Sequence, residues 1–238
     1  NGNYLTVQLK QHQNFGPSQI RLQVVSDKII RVQATAEQSF RNKQSLIIVP
    51  QNSKANYKVE EQGDNLIITT AAMRAVMNEA TGQITFYDLK DNVLLNEVAQ
   101  GGKTFKPFTV PDREMGVDIA KVPEAQKHGW SWRALFNSPD NEAFYGLGQH
   151  QSEELNMKGK NEDLFQYNTK VSVPFVISNK NYGILWDSYS YCRWGNPEDY
   201  LQLNRAFKLY DKDGKEGQLT GTYVDKNGQK IVRGEDSI

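Results

Sequence analysis

Apolar residues recur at every second position along most of this chain, and short polar turns break them at close intervals. A period of two puts alternate side chains on opposite faces of an extended strand, so it admits half-buried strands and excludes amphipathic helices. Tyr4–Leu9 places Leu5, Val7 and Leu9 on one face, and Gln19–Val25 does the same with Ile20, Leu22 and Val24. Ile29–Ala34 follows Ser26-Asp27-Lys28, which reads as the second arm of a hairpin. Leu46–Val49 is a short apolar run ended by Pro50. Asn56–Glu61 and Leu66–Thr70 flank Gln62-Gly63-Asp64-Asn65, another hairpin signal. Ala72–Glu79 turns at Thr81-Gly82 into Gln83–Asp88, and Lys90-Asp91-Asn92 turns that into Val93–Glu97. Residues 4–97 therefore hold about nine short β segments, spaced as in a sandwich or barrel. The fold class is all-β, and the one helical expectation is a short turn at Gln151–Met157.

Residues 100–143 are less regular, with Gly101-Gly102 and prolines 107, 111, 123 and 139 as punctuation. Trp130, Trp132 and Phe136 alternate with polar residues, so Trp130–Phe136 reads as a strand with an aromatic face. Val171–Ser178 and Tyr182–Asp187 form a hairpin around Asn179-Lys180-Asn181. After Trp194-Gly195-Asn196-Pro197 short strands alternate with glycine-rich turns, which places a module boundary near 198–206. The expected organisation is a sandwich over 1–200, then a linker and an incomplete second β module over 201–238.

Lys and Arg total 28, as do Asp and Glu, so no basic excess exists to neutralise phosphates and nucleic acid is not an expected partner. Cys192 is the only cysteine, which excludes an intrachain disulfide. No run of 18 apolar residues exists, so no helical membrane span is expected. The chain opens Asn1-Gly2-Asn3-Tyr4 without an initiator Met or a signal-like segment, as a sequence trimmed at its N-terminus would. The compartment stays open, with periplasmic and secreted locations both compatible.

Three aromatic blocks punctuated by glycine follow: Phe144-Tyr145-Gly146-Leu147-Gly148, Val173-Pro174-Phe175-Val176-Ile177-Ser178, and Tyr182-Gly183-Ile184-Leu185-Trp186-Asp187. Gly146 and Gly148 either permit a bulge between buried aromatics or let backbone approach a sugar. In this order the blocks resemble the end of the N-terminal domain of glycoside hydrolase family 31, which contains retaining α-glucosidases and α-xylosidases. The resemblance covers roughly 1–197 and is strongest after 140. Gln149-His150-Gln151, where the family usually has an acid at the first position, is similar to its α-xylosidase branch. The tail Phe207–Asp211, Leu219–Tyr223 and Arg233–Ile238 is similar to the opening of a protective-antigen-like β module.

The resemblance implies a galactose-mutarotase-like antiparallel β-sandwich that supports a catalytic barrel in cis and lends it a loop. By motif order that loop is Leu164–Asn168. Phe165 and Tyr167 would stack on a pyranose, and Gln166 and Asn168 would hydrogen-bond hydroxyls; alternatively Phe165 or Tyr167 is core. Retaining glycosidases need two carboxyl groups about 5–5.5 Å apart. The family carries both in its barrel, and its nucleophile motif is absent here, so no catalytic residue is expected. Glu60-Glu61, Glu153-Glu154 and Glu162-Asp163 are read as solvated surface, because neighbours on a strand diverge.

His12, His128 and His150 lack metal-ligand spacing, Asp211–Glu216 reads as a turn rather than a calcium loop, and Cys192 reads as a small buried hydrophobe. Neither metal nor cofactor is expected. The implied parent is an α-xylosidase acting on xyloglucan-type oligosaccharides, and this chain alone would be inactive. The alternatives are an α-glucosidase, or a free-standing sandwich that grips carbohydrate through Trp130, Trp132 and Trp194. A mutarotase-type epimerase, which needs a His and a Glu in one cleft, rests on fold analogy only.

Overall fold

A computed structural model describes residues 4–9, 14–41, 44–49, 55–109, 119–151, 154–166 and 168–195. The backbone divides into two units, Asn1–Asn196 and Pro197–Ile238, and the second lies outside the described residues, as does the expected β module.

The alternating segments form strands where their periodicity predicts them. Strands β1 (Tyr4–Gln8), β2 (Gln19–Ser26) and β3 (Ile29–Thr35) make one antiparallel sheet. Strands β4 (Tyr57–Gln62), β5 (Asn65–Thr70), β6 (Arg74–Asn78), β7 (Ile84–Tyr87) and β8 (Val93–Asn96) make a five-stranded meander. Register sets the two inner faces: Val7, Ile20 and Ala34 lie in line, as do Leu66, Met77 and Ile84. The two faces close on one core of Leu9, Ile20, Leu22, Val24, Leu66, Ile68, Ala75, Met77 and Ile84. The β4–β5 turn is Gly63-Asp64, with Gly63 at φ +62°, the glycine that a II′ turn places first.

Two expectations need correction. Leu46–Val49 is not a strand, and Leu46 and Val49 are exposed. The Ser45 hydroxyl accepts from the Ile47 and Ile48 amides (3.2 and 3.0 Å), which turns the backbone where a ladder would need it straight. The described part of Gln151–Met157 is not helical: the Asn156 side chain accepts from the Phe144 amide, and the Met157 amide donates to the Phe144 carbonyl. Pairing to a strand thus displaces the helical turn. Helix occurs instead at a 3-10 turn, Ile119–Lys121, and a single α turn, α1 (Glu124–Lys127), started by Pro123.

Between these regions β9 (Lys103–Thr109) pairs with β10 (His128–Ala134) in a two-stranded ribbon. Pro107 hid β9 from the periodicity; among the described residues β9 ladders only with β10, and an edge strand tolerates a proline. At the foot of the ribbon Lys103 meets Glu97 in a buried ion pair. Glu97 also accepts from the Ile84 amide (2.8 Å), and Lys103 donates to the Gly82 carbonyl (3.1 Å). Burial pushes the Glu97 carboxyl up and the Lys103 ammonium down, and each partner's charge opposes that shift.

Strands β11 (Phe144–Gln149), β13 (Val171–Ser178) and β14 (Tyr182–Leu185) form a third sheet, with β13 central. Its inner face carries a second core of Phe144, Leu147, Met157 and Val176, with Tyr182, Ile184 and Trp194 packed on it. Beside it β12 (Glu162–Leu164) pairs with β15 (Cys192–Trp194). Pro174 lies within the central strand. Its carbonyl accepts from the Trp186 amide (2.8 Å), but it has no N–H to return, and β14 stops at Leu185. Trp186 therefore leaves the sheet and stacks on Trp132, with centroids 4.3 Å apart. Asp187 then takes Arg31 (2.6 Å) and the Ser45 hydroxyl (2.7 Å), tying this segment to β3.

Candidate functional site

The candidate loop follows β12 and ends where β13 begins, and what positions it starts in β11. The β11–β13 register slips between Gly146 and Gly148, with Leu147 at φ +66°. A Cβ on Gly146 would sit 2.5 Å from the Phe175 carbonyl oxygen, and one on Gly148 2.0 Å from that of Val171. At both glycines the backbones pack closely at a bulge. The bulge turns Leu147 into the core and presents its carbonyl to His150, whose Nε2 lies 2.8 Å away. A carbonyl only accepts, so Nε2 carries a proton.

His150 Nδ1 lies 3.0 Å from Glu162 Oε2, off hydrogen-bond alignment. The same oxygen accepts from the Lys170 ammonium at 3.0 Å. Glu162 and Lys170 side chains are 16% and 7% exposed, so this pair is largely withdrawn from water. The reading of Glu162 as solvated surface is thus corrected: Lys170 supplies the charged partner that permits its burial. Asp163 points the other way and accepts from the Tyr191 hydroxyl (2.7 Å) and Arg193 Nε (2.6 Å). The two neighbouring carboxylates diverge and cannot act as a glycosidase pair. Glu60 pairs with Lys58, and Glu154 with Lys160; Glu153 lies outside the described residues.

Lys170 closes the loop from below and Gln166 closes it from the side. The Gln166 carboxamide donates to the Lys170 carbonyl (2.8 Å) and accepts from the Ser172 amide (3.1 Å). The Ser172 hydroxyl donates to the Phe165 carbonyl (3.1 Å). Phe165 is 56% exposed and stands edge-on to Tyr191, with centroids 6.5 Å apart. Asn168 is exposed, and Tyr167 lies outside the described residues. Of the four expected site residues, the structure places Phe165 and Asn168 at the surface and gives Gln166 two backbone partners. Phe165 is not core. Tyr191 joins Phe165 without having been marked in the sequence; its place beside β15 was the available signal.

The expected sugar-gripping tryptophans are differently employed. Trp194 packs edge-on against Phe144 and donates from Nε1 to the Met157 carbonyl (3.0 Å). Trp132 has Trp186 on one side and Phe105 stacked at 6.3 Å. Trp130 is exposed; beside it Arg41 bonds the Glu37 carboxylate and holds that carboxyl below its usual range. Cys192 is half-buried, its Sγ 3.1 Å from the Ser190 carbonyl oxygen. His128 bonds Glu124 and Thr109 at the surface, and His12 lies outside the described residues. Beneath the third sheet Glu142 accepts from the Ser178 and Tyr182 hydroxyls, both at 2.6 Å. Burial, reinforced by that carboxylate, raises the Tyr182 phenol above its ordinary value. Among the described residues no three His, Cys, Asp or Glu side chains cluster as metal ligands, and no helix is long and apolar enough to cross a membrane.

Comparison with known proteins matches these elements to a family. Residues 19–194 fit the family described as the glycosyl hydrolase 31 N-terminal galactose mutarotase-like domain. An uncharacterized family 31 glucosidase of Pseudescherichia vulneris is 26% identical over 178 residues, covering 71% of this chain and 32% of that protein. An α-xylosidase of Saccharolobus solfataricus is 25% identical over 176 residues, covering 74% of this chain and 23% of that protein. This chain thus spans a third or less of these relatives' length. Among solved structures, the GH31 α-xylosidase of Xanthomonas citri is 36% identical with a TM-score of 0.71, over 97% of this chain and 23% of that one. A GH31 α-xylosidase from a soil metagenome, complexed with xylose, is 26% identical with a TM-score of 0.61, over 81% of this chain and 28% of that one. The chain belongs to the N-terminal galactose mutarotase-like domain family of glycosyl hydrolase 31, an all-β sandwich fold.

Proposed function

We propose that this chain is the non-catalytic N-terminal part of a retaining α-glycosidase, an α-xylosidase that releases xylose from xyloglucan-type oligosaccharides. It supports a catalytic barrel in cis and lends that barrel the loop from Phe165 to Asn168. The observation that carries the reading is the family match together with relatives named α-xylosidase, at 36% identity for the Xanthomonas citri structure. The loop geometry supports the second half. Gln166 and Lys170 hold the backbone fixed, which leaves Phe165 and Asn168 to present an aromatic face and an amide to a sugar. Gln166 then positions the loop, and Tyr167 completes the set. An α-glucosidase is the second reading, favoured by the relative from Pseudescherichia vulneris. Residues 207–238 open a protective-antigen-like module in this reading.

Kinetics of the parent enzyme test it. Asn168→Ala should lower kcat/KM on α-xylosides by about 0.5–1.5 kcal/mol, one lost hydrogen bond, with the melting temperature unchanged. Gln166→Ala should impair activity at least as much by loosening the loop. Unchanged kinetics in both, with folding intact, would remove the loop from the substrate site. The isolated chain should not hydrolyse aryl α-xylosides or α-glucosides, and turnover that survives further purification would overturn the non-catalytic reading. A kcat/KM higher on α-glucosides than on α-xylosides would select the second reading.

A further inference from the structure

The third sheet has a face that no part of the described structure covers. Strand β13 alternates regularly: Val176 and Ser178 are buried, while Val171, Val173, Phe175 and Ile177 point outward. Across the ladder Tyr145 pairs with Ile177, and Leu185 with Phe175, so both join the outward set. These six side chains are 38–50% exposed. The remaining positions of that phase, Gln149 and Gly183, carry no charge. Such continuity is unlike the scattered apolar residues of ordinary surfaces; patches on the order of 300–600 Å² are the size that is commonly functional. Edge strands β11 and β14 carry no outward lysine or glutamate here, the usual guard of a sheet meant to face water.

We infer that this face is the seat of the catalytic part of the parent polypeptide, which would present a complementary apolar and uncharged surface. The inference rests on the proposed function and adds which surface makes the junction. Three observations select this occupant. The face is predominantly apolar and charge-free, which suits a permanent intramolecular interface better than a transient partner. A sugar platform would instead mix aromatic faces with convergent polar groups. The Xanthomonas citri α-xylosidase matches 97% of this chain with 23% of its own, so in such a protein most of the polypeptide lies outside the matched region. Finally, Val171 opens this face directly after Lys170, the anchor of the Phe165–Asn168 loop. A domain seated on Val171, Val173 and Phe175 is brought beside that loop without any other rearrangement.

Hydroxyl-radical footprinting of this chain and of its full-length parent tests the seat. Val173, Phe175, Ile177 and Leu185 should be labelled freely in a monomeric chain and severalfold less in the parent, with Val176 protected in both. Equal labelling in the two proteins would overturn the inference. So would concentration-dependent protection of the isolated chain, which would assign the face to a second copy. As an independent readout, Ile177→Asp should leave the melting temperature of the isolated chain unchanged and lower that of the parent. No change in the parent would also overturn it. If the parent is protected on this face yet cleaves no α-glycoside, the seat stands and the proposed function falls.

Discussion

Replacing Lys103 by Met tests the buried ion pair at the foot of the β9–β10 ribbon. Lys103 and Glu97 side chains are 8% and 5% exposed, so neither charge can turn to solvent. Met matches the lysine stem in length and packing and removes only the ammonium. Glu97 then keeps the Ile84 amide as a donor but loses its counter-charge, and the Gly82 carbonyl loses its donor. An uncompensated buried carboxylate costs about 3–5 kcal/mol. A lost neutral hydrogen bond alone would cost about 0.5–1.5 kcal/mol. For a domain of this size the larger figure lowers the melting temperature by roughly 6–20 °C, taking about 2–4 °C per kcal/mol.

The pH dependence separates the two accounts. Burial raises the folded-state Glu97 carboxyl above its unfolded value, and without Lys103 only the Ile84 amide opposes that rise. A carboxyl raised on folding contributes stability that is complete below its unfolded pKa and is lost as pH climbs through the window between the two values. The Lys103→Met penalty should therefore shrink when pH falls from 7 toward 4, as Glu97 takes up a proton. Adding Glu97→Gln should recover much of the loss at pH 7. Denaturant melts at both pH values give the answer. A penalty near 1 kcal/mol that ignores pH, with no recovery in the double variant, would refute a desolvated ion pair.

Other expected outcomes follow from single contacts. Gly148→Ala should destabilise by about 2–3 kcal/mol or more, since its Cβ would strike the Val171 carbonyl at φ +100°; Gly63→Ala, with nothing within 4 Å, should cost about 1 kcal/mol, and equal losses in thermal melts would argue against the bulge. Glu162→Gln removes the carboxylate that accepts from the Lys170 ammonium and should cost about 1.5–3 kcal/mol, with faster proteolysis between 165 and 169 as the specific sign. Tyr182→Phe should cost about 1.5–3 kcal/mol, one bond to a carboxylate. Because the Tyr182 phenol is raised on folding, the stability it contributes is lost as pH rises past its ordinary 10.0, and the variant should lose less in alkali; an unchanged alkaline profile would contradict the shift.

Strands β2, β5 and β6 were legible because each buries alternate residues, so Ile20 and Leu22 alternate with polar neighbours that water accepts. β9 was illegible because Pro107 reads as a breaker until one knows that, among the described residues, its strand ladders only with β10. Leu46–Val49 misled in the opposite sense: hydrophobicity was present, but the Ser45 hydroxyl had already claimed two of the amides. The loop after β12 was placed by motif order, yet the division of labour within it was not visible. Nothing in the spacing says that Glu162 would be buried, because its partner Lys170 stands eight residues away and arrives only when β11 and β13 pair. Nor does sequence reveal that the Gln166 carboxamide faces backbone, since a polar side chain in a loop serves solvent, ligand and main chain equally well on paper.

Gln166 has a further consequence. Its carboxamide takes the carbonyl of residue 170 and the amide of residue 172, the two groups that a parallel neighbour opposite Val171 would engage. One side chain thus substitutes for a strand that the sheet does not have. Regular strands make every residue answer to its neighbours across the ladder, so a change in one is felt along the row. Here residues 168 and 169 are spanned rather than laddered, and the bridge is fixed at its two feet. The tip can exchange side chains, or gain or lose a residue, while β13 keeps its register. A scaffold with such a bridge can diversify what it shows to a ligand at one place without reopening its core.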